Sequence, residues 1–153
     1  MKIFVGVTDQ FWFNFNKEKN LDQVVFWRKS PNPLRKLKEG DYFLFLIRGK
    51  LPRKISGCGI VSLLGSQSIN NLWNEYGERN GCNKIEVFEH LVHKSRNQTL
   101  GYTILEKVKY FKPGNNLTDL DINFNKGIMI GKTFKSTDVE WQKLLDLIQN
   151  AGL

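Results

Sequence analysis

Asp41-Tyr42-Phe43-Leu44-Phe45-Leu46-Ile47 is followed, across the basic loop Arg48-Gly49-Lys50-Leu51-Pro52-Arg53-Lys54, by Ile55-Ser56-Gly57-Cys58-Gly59-Ile60-Val61-Ser62-Leu63-Leu64. The first segment is almost wholly apolar, which predicts a central strand covered on both faces. The second returns as its hairpin partner. Gly57 and Gly59 inside it predict a bulge or a tight bend, of the kind that lets a small sheet curl on itself.

On the N-terminal side, Lys2 to Val7 reads as a strand, and Thr8-Asp9 can cap a helix running from Gln10 to about Asn20 with Phe11, Trp12 and Phe15 on its apolar face. Gln23 to Trp27 is a second strand; Pro31 and Pro33 break the chain, and Leu34 to Leu37 forms one helical turn before Gly40. On the C-terminal side, Ser68 caps a helix that places Ile69, Leu72, Trp73 and Tyr76 on one face. Asn83 with Glu86 resembles a capping box for a helix with Ile85, Phe88 and Val92 inward. Tyr102 to Phe111 alternates as a strand with Ile104, Val108 and Tyr110 on one side, and Pro113 to Asn125 is a polar loop. Gly127 to Phe134 is a short apolar strand or turn, and Thr137 with Glu140 opens a last helix with Trp141, Leu144, Leu145 and Ile148 inward. The pattern is α+β: five or six strands closing into a small curled barrel flanked by helices.

A chain of 153 residues suits one domain spanning 1–153, with a core that needs no staples. No apolar run is long enough for a membrane span, and Asp9 interrupts any signal-peptide pattern. Cys58 and Cys82 have no metal spacing, and the expected compartment is a reducing cytoplasm. The 23 Lys and Arg against 15 Asp and Glu give a net charge of +8 and point to a polyanionic partner. The cations cluster: Arg28, Lys29, Arg35, Lys36 and Lys38 in one run, Arg48, Lys50, Arg53 and Lys54 in another.

No catalytic constellation emerges. Glu86, His90 and His93 share a helical face, but three ligands on one helix with no distant fourth are better read as solvated polar residues, so no metal is expected. Gly127 to Thr133 lacks the spacing of a phosphate loop, which excludes nucleotide hydrolysis, and no cofactor is expected. Cys58, between two glycines, reads as a buried structural thiol. Asp119 and Asp121 would face alternate ways in an extended loop.

Aromatics interleaved with basic and small polar residues do stand out. Val24-Val25-Phe26-Trp27-Arg28-Lys29-Ser30 starts as a buried strand and ends in a basic, proline-stiffened loop. Trp27 either caps the core or forms a stacking wall beside phosphate-binding charge. Asp9 and Trp12 follow the first strand, and in a small barrel adjacent strand ends surround one opening. Such an opening suits a flipped nucleobase, with the basic runs on the flanking phosphates.

Phe4-Val5-Gly6-Val7-Thr8-Asp9 with Trp12, then Val25 to Ser30, resembles the opening of a bacterial family of HNH restriction endonucleases. Leu37 to Asp41 leading into Phe43-Leu44-Phe45, Ile55 to Gly59, Trp73 to Gly81, Gly101 to Leu105 and Gly131 to Phe134 fit in the same order. In that family this region is the N-terminal specificity domain and resembles the PUA-like superfold that includes EVE and YTH domains. The resemblance implies recognition of a modified base (methylated or hydroxymethylated cytosine, or methyladenine) flipped from double-stranded DNA into an aromatic cage, with cleavage left to a separate nuclease domain or subunit. Trp27 with Ser30 is placed like the first cage tryptophan, Thr8 and Asp9 like the base-edge readers, and Trp12, Tyr42, Phe43 and Trp73 are the candidates for the second aromatic. Backbone contacts fall to Arg28, Lys29, Arg35, Lys36, Arg48, Lys50, Arg53, Lys54 and Lys132. The HNH segment that usually follows is absent from these residues, so an excised domain or a stand-alone module is expected. An RNA-binding module taking a modified or unpaired base is the alternative, since the superfold also serves RNA-modifying proteins and readers.

Overall fold

The apolar run ending at Ile47 is a strand with both faces buried, Phe43 and Phe45 on one side and Leu44 and Leu46 on the other. The computed structural model describes the chain except at residues 50, 117–119, 123, 125–127 and 129, and except for the side chains at 113, 114 and 116. Its strands are β1 (Ile3–Thr8), β2 (Val24–Arg28), β3 (Tyr42–Ile47), β4 (Lys54–Ser68), β5 (Thr99–Asn116) and β6 (Gly131–Phe134). Its helices are α1 (Gln10–Glu18), α2 (Ile69–Tyr76), α3 (Ile85–Val92) and α4 (Trp141–Asn150), with a short 3-10 helix at Gly77–Asn80.

The strands form one six-stranded sheet in the order β2-β5-β4-β3-β1-β6, parallel between β1 and β3 and antiparallel elsewhere. The expected barrel is not closed: β2 and β6 are the two edges, and the sheet curls without joining them. Side chains fill the curl instead. Trp12 of α1 packs edge-on against Phe26 of β2 at 5.6 Å and leans on Phe45 of β3 at 5.7 Å, while its indole N–H donates to the Val25 carbonyl at 3.2 Å. Phe26 also meets Phe43 at 4.7 Å, so β2 folds over β3 without pairing with it. Burying rings of this size stabilises the fold by about 1.5–3 kcal/mol each, enough to hold a curl that lacks the last ladder.

Three cores result. The outer face of β1, β3 and β4 is covered by Leu144 and Ile148 of α4. The inner face holds the aromatic cluster. Val25, Leu100, Tyr102 and Ile104 pack under Ile69 and Leu72 of α2 and Phe88 and Val92 of α3. β5 serves two of these cores from its two faces, Ile104 under the helices and Leu105 in the aromatic core, and it carries an extra residue: Ile60 lies opposite Glu106, yet Cys58 lies opposite Lys109, and Lys107 between them has φ 53°. That bulge reverses the side-chain alternation. Ile104 therefore faces the helices while Val108 and Tyr110 face the aromatic core, which corrects the single face expected for them.

Other expectations need correction. The buried face of α1 is Trp12, Phe13 and Asn16, and Phe11 is 53% exposed. Asp9 and Ser68 do cap their helices, accepting from the Trp12 N–H at 2.9 Å and the Asn71 N–H at 3.1 Å. The two proposed capping boxes do not form: α3 starts after Lys84 and α4 after Glu140, neither with a side-chain cap. Ahead of α4 the carboxylate of Asp138 accepts from the Lys135 N–H at 2.7 Å and closes a separate turn, leaving the first turn of the helix without a side-chain cap. Leu34 to Leu37 is a turn that buries both leucines in the aromatic core. Ile122 and Phe124, inside the stretch read as a polar loop, are buried against α4's core. Cys58 is a buried structural thiol, pushed up to about 12 by burial. Among the described residues no helix is long and apolar enough to cross a membrane.

Candidate nucleic-acid interface

The residues that follow β1 and those that end β2 line one open cleft of about 590 Å³. Asp9 and Trp12 reach it from the start of α1, Phe26 through Ser30 from the end of β2 and its turn, Arg48 from the end of β3, and Leu91 and His93 from the end of α3. Val7 and Ile130 complete it. Asp9, Trp12, Trp27, Ser30, Arg28, Lys29 and Arg48, singled out from the sequence, thus converge on one concavity. Sequence reasoning missed Leu91 and His93; they arrive through α3's packing on Trp27, which no local motif encodes.

Trp27 is half-buried. Its ring tilts against Phe88 of α3 at 5.5 Å, and its indole N–H donates to the Asn80 carbonyl at 2.9 Å. The side chain of buried Asn80 holds that carbonyl in place, donating to the Leu72 carbonyl at 3.0 Å and the Gly77 carbonyl at 2.9 Å. The next residue, Gly81, has φ 93° and lies so close to Trp12 that a Cβ there would sit 2.0 Å from the indole Cδ1. One short segment therefore fixes both tryptophans. Trp12 itself is 3% exposed and belongs to the cleft floor.

The turn after β2 is lashed to the sheet. The Gly101 N–H donates to the Ser30 carbonyl at 2.6 Å, the Ser66 hydroxyl to the Pro31 carbonyl at 2.5 Å, and the Lys94 ammonium to the Lys29 carbonyl. Arg28 spends donors on the Asn32 and Pro33 carbonyls, at 2.9 and 3.3 Å. The Ser30 hydroxyl accepts from the Asn32 N–H at 3.2 Å, which leaves its own proton to donate. One carboxylate oxygen of Asp9 is taken by the cap of α1. The cleft thus combines an acceptor, a hydroxyl and cations around an indole wall.

Other candidates lie elsewhere. Thr8 is fully buried, its hydroxyl donating to the Gly6 carbonyl at 2.8 Å, so it does not line the cleft. Tyr42 shares the parity of Leu44 and Leu46 and packs on the α4 side of the sheet. Phe43 is 0% exposed in the aromatic core. Trp73, on α2, is half-buried against the core that α2 and α3 cover and is absent from the cleft lining. Arg35 and Lys36 are exposed on the turn after β2, Arg53 stacks 5.2 Å over Phe124, Lys54 starts β4, and Lys132 sits on edge strand β6 with its ammonium 5.1 Å from the Phe134 ring. Lys50 and Asp119 lie outside the described residues. Among the described residues no group of His, Cys, Asp or Glu is arranged to hold a metal ion. Glu86, His90 and His93 do not converge, and neighbouring Glu89 is instead bonded to Arg96 at 3.0 Å, which lowers its carboxyl from the usual range.

No protein-family model matches the chain, and no curated protein does either. Solved structures do. The chain is similar to ASCH from Zymomonas mobilis, at 17% identity and a TM-score of 0.65, over 94% of this chain and 94% of that one. A hypothetical protein from Leishmania major covers 98% of the chain with 96% of its own, at 11% identity and a TM-score of 0.60. A Pseudomonas syringae protein matches at 16% identity and a TM-score of 0.56, over 95% and 98% of the two chains. At these identities the likeness establishes the fold. This chain shares the fold of these neighbours, an α+β arrangement around an open, curled six-stranded sheet. The expected kinship with HNH endonucleases has no counterpart among these neighbours.

Proposed function

We propose that the chain is a non-catalytic nucleic-acid-binding module that takes one unpaired base into the Trp27 cleft. The observation that carries this is the meeting of a half-buried indole with Arg28, Lys29 and Arg48 around a single concavity. A base stacks on the indole, the free Asp9 oxygen and the Ser30 hydroxyl read its edge, and the cations hold the adjoining phosphates. RNA is the favoured partner, because the PUA-like superfold serves RNA-modifying proteins and readers; this is an argument from fold. A modified base flipped from duplex DNA is the second reading, supported by the cage-like placement of Trp27 after the second strand. It is the weaker one: of the other Trp, Tyr and Phe rings on the described lining, Trp12 is floor at 3% exposure and Phe26 is tied into the aromatic core, so neither stands opposite Trp27 as a second cage wall.

Binding of one matched set of single-stranded RNA, single-stranded DNA and duplexes carrying each modified base, at fixed salt, tests the proposal. Single-stranded RNA is expected to bind tightest. Trp27→Ala should weaken it by about 1–3 kcal/mol, roughly 5- to 150-fold, while the protein stays folded. Unchanged affinity in a folded variant removes Trp27 from the site, and a preference for one modified duplex transfers the function to DNA.

A further inference from the structure

Arg48 lines the Trp27 cleft and also a second concavity of about 740 Å³ between α1 and the loop joining β3 to β4. Into this trough project Lys17 from α1, Lys54 from the start of β4 and Lys112 from β5, and its described lining contains no Asp or Glu. None of these four cations makes an ion pair among the described residues. A concentration of like charge with no acidic partner raises the energy of the free protein and is relieved by a bound polyanion. The next concavity along the surface shares Lys17, Phe111 and Lys112 with the trough, but Glu18 and Asp22 enter its lining and offset two of its three lysines.

We propose that the trough is the track of the strand that flanks the bound base: its phosphodiester backbone leaves the cleft past Arg48 and runs over Lys54, Lys17 and Lys112. This rests on the nucleic-acid reading above and gives it a direction. The run Arg35-Lys36-Lys38, as basic in sequence, lines neither the cleft nor the trough. The Lys36 carbonyl instead accepts from the Lys2 ammonium at 3.0 Å, on the turn that leads to β3. A concavity of about 740 Å³ is of small-ligand dimensions, which corresponds to a short stretch of nucleotide backbone. The ligand chemistry is the phosphodiester, which RNA and DNA share, and oligonucleotides of both types tell them apart.

The experiment compares wild type, Lys54→Gln/Lys112→Gln and Arg35→Gln/Lys36→Gln, binding a labelled mixed-sequence single-stranded RNA and its DNA counterpart over a salt series. All four substituted residues are exposed, so circular dichroism should be identical for the three proteins. Each lost phosphate contact on a single strand flattens the slope of log K against log salt by about 0.7. For the trough variant the affinity ratio between about 50 and 200 mM salt should therefore shrink roughly sevenfold, while the Arg35/Lys36 variant keeps the wild-type slope. A trough variant with the wild-type slope, or a flattening confined to the Arg35/Lys36 variant, overturns the track and leaves the cleft reading standing. Absence of binding by the wild type to either oligonucleotide overturns both.

Discussion

Two tryptophans line the same cleft and have opposite fates. Trp12 and Trp27 each donate the indole N–H to a backbone carbonyl, of Val25 and of Asn80, and each touches a phenylalanine ring. Trp12 sits inside the curl of the sheet, with Phe26, Phe45 and Gly81 around it, and is 3% exposed. Trp27 lies on a strand edge with α3 behind it and stays half-buried. A hydrogen-bonded, well-packed indole is therefore not by itself a core residue; what distinguishes the two is whether the surrounding layers enclose the ring or only hold it upright.

The sharpest way to break the comparison is to truncate both. Trp12→Ala should lose about 3–5 kcal/mol of stability in a denaturant titration, whereas Trp27→Ala should lose clearly less and show its effect in binding. Equal stability losses would make Trp27 a core residue and empty the comparison. Gly81→Ala strikes the hinge between the two regions: the left-handed backbone and the contact with Trp12 both oppose a Cβ, and a loss of about 1–3 kcal/mol is expected, seen as a lower thermal midpoint. Because Asn80 next to it accepts from Trp27, binding should weaken along with stability.

The smallest effect is a pH dependence that one residue gives the enclosed region. Tyr110 lies against Phe13 in the aromatic core and donates its hydroxyl to the Leu21 carbonyl at 2.7 Å; burial, with Asp22 adding, raises its phenol above the ordinary value of 10.0. The native phenol stays protonated where the unfolded one ionises. Its stabilising contribution is thus intact below pH 10 and falls as pH rises beyond it, by at most about 1.4 kcal/mol per pH unit. Tyr110→Phe should flatten the alkaline decline in stability, measured by denaturant midpoints across that range.

Much of this was legible in the sequence, for physical reasons. A run as apolar as Tyr42 to Ile47 has only a doubly covered strand open to it, and Asp9 and Ser68 precede their helices where caps belong. Asp9, Trp27, Ser30 and Arg48 could be gathered because strand ends carry them to one side of a curled sheet. Strand parity already argued against Tyr42, which alternates with Phe43 and so faces the other core. The open edges were not legible, since closure depends on whether β2 and β6 meet, a question of three dimensions. Nor were Leu91 and His93, carried to the cleft by a helix far along the chain. The capping boxes failed because a matching pair of side chains does not dictate the backbone path between them; the helices begin after Lys84 and Glu140, past Asn83 and Thr137.

The bulge at Lys107 bears on how this chain tolerates change in length. Upstream of it β5 presents even-numbered residues to the α2–α3 core; downstream Val108 and Tyr110 point into the aromatic core. Deleting Lys107 would remove the bulge and restore simple alternation with Leu105, Val108 and Tyr110 still facing the aromatic core, whereas deleting a residue elsewhere in the strand turns the residues beyond it to the wrong face, the same error as a register slip. A single-residue loss within this strand is therefore best tolerated at the bulge itself, and alignment gaps in homologous chains should fall there or in the surface turns.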